Sequence, residues 1–230
     1  MQTGDLVLFA GSRPLSRWIE LLTVGPFSHA TMVYRPDPAA PPLLWQEAPQ
    51  PIVTDPRTQT LHAGAQLGDA LSAAQVISSL GDVPWYVPLA WQRPPDVGAR
   101  MDEVLSTYEQ LPFGTVLEMA LDYAVGRLYG QSTGDAVLYC AALVATTYTA
   151  IGVLGNAHPA NWYSPNSFSP SQAAGLPWAA GASLGPPVQV SLPPGGPVGD
   201  AAMSAGWPAG PLAPVSLPAP PPHLPAPSSG

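Results

Sequence analysis

The chain reads as an α+β protein, and three observations carry that reading. Short apolar strand patterns cluster near the N-terminus, over residues 6–9, 27–34 and 43–48. Helical patterns of ten residues or more follow them. Last comes the longest uncharged apolar run, 136–154, which holds the only cysteine, Cys140. Strands first and helices afterwards suggest a small, mostly antiparallel sheet packed against helices.

In order, Gly4-Asp5 marks a turn before a buried strand at 6–9. Leu15, Trp18, Ile19 and Leu22 recur at i, i+3, i+4 and i+7, so 12–23 is expected to be a helix. On a strand at 27–34, His29, Thr31 and Val33 share one face and Ala30, Met32 and Tyr34 the other. Residues 36–42 make a turn, and 43–48, carrying Glu47, form a hairpin partner. A short strand at 51–53, a helix at 65–80 and a proline-interrupted edge strand at 82–89 follow. Helices are expected at 100–111 and 116–129; in the second, Leu117, Ala120, Leu121, Ala124, Val125 and Leu128 form an apolar stripe and Gly130 a stop. After the cysteine helix, 155–177 reads as loop.

Of the 32 prolines, 14 fall within 181–230, which holds a single charged residue, so that stretch cannot build a core. The expected division is a folded domain over 1–178 and a proline-, glycine- and alanine-rich tail, probable disorder by composition, over 179–230.

The formal charge is −8 and all seven basic residues are arginines. Without a basic face, nucleic acid is not an expected partner. Without lysine, Schiff-base and Ser–Lys chemistry are excluded. One cysteine allows neither an internal disulfide nor a thiolate-rich zinc site, and no cofactor or metal is expected. The run 136–154 is long enough to span a bilayer, but it carries three threonines and two tyrosines, and no basic residue follows it. No transmembrane segment is therefore expected. The opening residues show no secretory pattern, so the default expectation is cytoplasmic.

Cys140 is placed for chemistry if a helix begins near Leu138 or Tyr139, because unpaired N–H groups and the helix dipole then favour a thiolate. The competing reading is a small buried hydrophobe. A cysteine nucleophile needs a base and a group to orient it. Of His29, His62, His158 and His223, only His29 lies on an expected core strand, and Glu47 sits among apolar neighbours on the adjacent strand.

The order GDLVLF, FSHATMVY, an acidic residue on the next strand, PFG before a helix, then YCAALV resembles the circularly permuted papain-like amidases of the NlpC superfamily, particularly their YiiX/YaeF-like branch. The resemblance runs from Gly4 to about Pro170. It implies Cys140 as nucleophile, His29 as base, Glu47 as orienting residue with His62 in reserve, and the Cys140 backbone N–H as an oxyanion donor. Family members often carry Cys-Ser-Glu-Leu-Val where this chain has Cys140-Ala141-Ala142-Leu143-Val144. The implied activity is thiol hydrolysis of amide or isopeptide bonds in peptide or peptidoglycan-like substrates. Acyl transfer or lipid deacylation through the same thioester is an alternative, and a catalytically silent binding or scaffold domain is a third. The tail suggests no particular partner.

Overall fold

The computed structural model describes residues 1–11, 16, 19–20, 23–109, 111–134 and 138–193. The helix expected over 12–23, His223 and the end of the tail lie wholly or mostly outside them.

Six strands form one antiparallel sheet in the order β4-β3-β2-β1-β5-β8. They are β1 (Leu6–Ala10), β2 (His29–Tyr34), β3 (Leu43–Ala48), β4 (Gly64–Asp69), β5 (Val83–Val87) and β8 (Val188–Gln189). A two-stranded sheet joins β6 (Leu89–Ala90) to β7 (Ser183–Leu184). The helices are α1 (Ala70–Ser79), α2 (Val97–Tyr108), α3 (Val116–Tyr129), α4 (Cys140–Ala150) and the single turn α5 (Pro170–Ala173). The α+β class and the antiparallel sheet packed on helices are as the sequence predicts.

Alternation along the strands divides the core in two. Leu6, Leu8, Ala30, Met32, Trp45 and Leu67 pack on α2 and α4, whose Met101, Leu105, Leu143, Val144 and Tyr148 are buried. On the other face, Val7, Phe9, Val33 and Leu44 pack on Ala73, Ala74 and Ile77 of α1. Two polar anchors fix the first layer. Trp45 Nε1 donates to Thr147 Oγ1 at 3.1 Å, tying α4 to β3, and Tyr148 Oη donates to the Gly4 carbonyl at 2.5 Å. Asp5, buried at the start of β1, accepts from Tyr86 Oη at 2.6 Å, Leu89 N at 3.0 Å and Arg93 Nη2 at 2.9 Å, which holds the end of β5 beside β1.

Several elements differ from the sequence reading. Residues 64–69 pair with β3 as a strand, and the helix expected over 65–80 begins only after Asp69, whose side chain caps it by accepting from Ser72 N at 2.8 Å. No strand forms at 51–53. β5 is an interior strand, because Trp85 and Tyr86 pair with β8 on its far side. Pro84 is accommodated there without a donor; its carbonyl accepts from Val190 N at 2.9 Å. Residues 183–190, which composition assigns to the tail, thus complete two sheets. The stretch 155–177 contains two 3-10 turns, Ala160–Trp162 and Pro165–Phe168, besides α5.

α3 has a Thr115–Glu118 capping box at its start and Gly130, at φ 63°, at its end. It rests on the Ala160–Trp162 turn through Gly126, where a Cβ would come within 2.6 Å of the Asn161 backbone. The apolar stripe along α3 is largely turned outward. Leu117, Leu121 and Leu128 are 69%, 58% and 73% exposed.

Candidate functional site

Cys140 is the first residue of α4, with Tyr139 in extended conformation as its N-cap. The helix can begin here because Tyr139 is held independently: its hydroxyl donates to the carbonyls of Asn161 at 2.7 Å and Tyr163 at 2.8 Å. The thiol is 8% exposed and lies near the backbone N–H groups of Ala30 and Ala141. Those donors favour the thiolate, but burial outweighs them and pushes the thiol up to about 11, with the Glu47 carboxylate adding to the rise. The thiol is therefore neutral at physiological pH. The sequence expectation of a depressed value is reversed, because the helix terminus is buried against the sheet.

Glu47 stands on the face of β3 that carries Trp45, toward α4. It is 1% exposed, both carboxyl oxygens lack a hydrogen-bond partner, and burial raises its pKa to about 9. It is thus a neutral carboxylic acid beside a neutral thiol. Of the sequence-predicted residues, these two are brought together.

His29 is not brought to them. It is the first residue of β2 and pairs with Phe9, so the two side chains share a face. Their ring centroids are 5.7 Å apart, and His29 Nε2 lies 3.2 Å from Gln46 Oε1. Phe9 belongs to the α1 layer, while Ala30, the next residue, belongs to the α4 layer. The imidazole therefore sits on the opposite side of the sheet from the thiol, and the role of base assigned to it lacks the required contact. The backbone comes closer, since the Ala30 N–H that reaches Cys140 belongs to the peptide joining His29 to Ala30. At that point the strand is irregular: Ser28 N also donates to the Phe9 carbonyl, at 2.9 Å.

His62 and His158 are engaged elsewhere. His62 Nε2 is 3.0 Å from the carbonyl of Ala65, the register partner of Glu47, and His158 stacks on Trp162 at 4.0 Å. Gln46 and the Ala30 N–H were not singled out from the sequence. The period of two along β2 and β3 was the available signal, since it separates His29 from Ala30 and Gln46 from Glu47. Among the described residues no group of three or more His, Cys, Asp or Glu side chains is placed to hold a metal ion. No described helix is long and apolar enough to cross a membrane.

Beside Tyr139 lies a groove of about 610 Å³, lined by Thr23, Val24, Tyr123, Arg127, Trp162 and Leu176 among others. Tyr123 meets Tyr139 edge to face at 6.4 Å, so one wall of the groove packs against the N-cap residue of α4.

No protein-family model and no curated protein matches the chain. Among solved structures it is similar to the crystal structure of the metalloprotein YiiX from Escherichia coli O157:H7, at 13% identity and a TM-score of 0.47, over 84% of this chain and 97% of that one.

Proposed function

We propose that this chain is a thiol hydrolase of permuted papain-like order, cleaving amide or isopeptide bonds through an acyl-thioester on Cys140, and that the described arrangement is its resting state. One observation carries the reading: the thiol at the start of α4 receives the N–H of the residue that follows His29, with Glu47 on the same face. The nucleophile, two candidate oxyanion donors (Ala30 N–H and Ala141 N–H) and a carboxyl group thus meet at one place. In the reaction the thiolate bonds to the scissile carbonyl carbon, the C–N bond breaks, and the amine leaves with a proton. Water then cleaves the thioester, releasing a carboxylic acid and restoring the thiol. Because a strand side chain cannot pass through the sheet by turning about its own bonds, the proton relay requires the start of β2 to shift its pairing by one residue, which would carry His29 to the Cys140 face.

A p-nitrophenyl acyl ester tests this without knowledge of the natural substrate. The expected result is a nitrophenolate burst, an acyl adduct on Cys140 by intact mass, and turnover that falls by about a hundredfold or more in His29→Ala. Absence of any adduct on the folded chain, with ready acylation of the unfolded one, contradicts the proposal.

The side of the sheet taken by His29 favours a second reading, a catalytically silent binding or scaffold domain. Ala141 and Ala142, which offer no polar group beside the nucleophile, point the same way. Acyl transfer in place of hydrolysis uses the same thioester and is separated from it by whether an added amine or alcohol carries off the acyl group.

A further inference from the structure

We propose that α3 is a self-association surface on which a second copy of this chain docks antiparallel to the first. Leu117, Leu121, Ala124 and Leu128 follow one another at intervals of four, three and four residues, the spacing of a helix-pairing seam. The opposite side of the helix, with buried Asp122 and Gly126, faces the domain. The three leucines of the seam are outward, while Ala124 between them is half-buried and, with Leu128, lines the groove beside Trp162. Such a contiguous apolar strip marks an interaction site more often than a solvated surface.

The order of residues identifies the occupant. A two-fold interface requires that where residue i meets j, j also meets i. About a point midway between Asp122 and Tyr123, Leu117 is level with Leu128, Leu121 with Ala124, and Val116 with Tyr129 of an antiparallel copy. The charges agree with that direction. Glu118 lies in the first turn and Arg127 in the last, so the acidic end of one helix lies level with the basic end of the other, and the helix dipoles oppose. A parallel pair would instead bring Glu118 to Glu118 and Arg127 to Arg127.

One 14-residue helix offers less than the ~800 Å² per partner of a standard interface, so the dimer is reversible, with dissociation in the micromolar range or weaker. Because each copy carries a formal charge of −8, added salt should strengthen the association.

The test uses the full chain. Sedimentation velocity from roughly micromolar to millimolar concentration should show a monomer–dimer equilibrium that tightens with salt and is lost in Leu121→Glu. As a check independent of folding, a photo-crosslinker at position 121 should yield a species of twice the chain mass. In a Cys140→Ser background, mixed Leu121→Cys and Ala124→Cys chains should form a disulfide faster than either alone. A monomer at all concentrations, or a position-121 crosslink made within one chain to 194–230, overturns the proposal; the second result would assign the strip to the tail.

Discussion

Glu47 lies on the same sheet face as Cys140, close enough for its carboxylate to raise the thiol's pKa, while His29 occupies the other face beside Phe9. Two groups that ionise reluctantly are thus buried together. Each is neutral because of burial, and each disfavours the ionisation of the other.

That relationship predicts how stability depends on pH. Glu47 ionises near pH 9 in the fold and near 4.5 when unfolded, so between these values the folded state holds a proton that the unfolded state has lost. Stability therefore falls as pH rises through this window, by on the order of 3 kcal/mol between pH 4.5 and 7 from this one group. Glu47→Gln should be more stable than the parent at pH 7 to 8 and should lose most of the slope. Thermal melts across pH 5 to 9 read it, and identical slopes for parent and variant would show that Glu47 is not the source.

Asp5 holds the β1–β5 junction through one charged and two neutral donors, and it is 3% exposed. Asp5→Ala leaves the Arg93 guanidinium, the Tyr86 hydroxyl and the Leu89 N–H without their acceptor. Removing one member of such a buried pair costs about 3–5 kcal/mol. Urea unfolding should show that loss; a change below about 1 kcal/mol would mean that water replaces the carboxylate without penalty.

Thr147→Val is nearly isosteric but removes the acceptor of the Trp45 indole N–H inside the core. A destabilisation of about 1–3 kcal/mol is expected, without loss of the fold. The measurement is chemical denaturation with tryptophan emission as the probe, and an unchanged midpoint would show that this bond does not anchor α4.

Because β7 and β8 pair with strands of the domain, we propose a working boundary near residue 190 in place of 178. A chain ending at 178 should melt several degrees below one ending at 193, because it loses the pairing of Val188 and Gln189 with β5 and the burial of Val190. Equal melting temperatures would restore the boundary drawn from composition.

Much of the fold is legible in the residues because local patterns and tertiary needs agree. The strands at Leu6, His29 and Leu43, the helix ended by Gly130 and the helix starting at Cys140 all emerge from periodicity and stop signals. The failures occur where tertiary context decides. GAQLGD has no strong strand pattern and becomes β4 because β3 supplies a ladder across its whole length. Val188 and Gln189 are strand residues only because β5 has a free edge to offer. At the site, two of the residues that motif order singles out, Glu47 and Cys140, share a face. Which face the imidazole takes follows from the period of two along β2, which groups His29 with Thr31 and Val33 and against Ala30; motif order alone does not carry that information. The thiol's pKa departs from the sequence expectation because a helix N-terminus lowers it only where burial does not outweigh the donors.

Alkylation of the native chain tests the central claim most directly, because Cys140 is its only thiol. With a pKa near 11, Cys140 carries about a hundredfold less thiolate at pH 7 than an ordinary thiol. Iodoacetamide labelling should therefore be slow at pH 7 and still climbing at pH 10. His29→Ala should leave the profile unchanged. Glu47→Gln should move it to lower pH, because the carboxylate that opposes the thiolate is gone. Rapid labelling already at pH 6, abolished in His29→Ala, would contradict the neutral, His29-independent resting site: it would mean that the imidazole reaches the thiol before any substrate is bound and holds it as a thiolate–imidazolium pair.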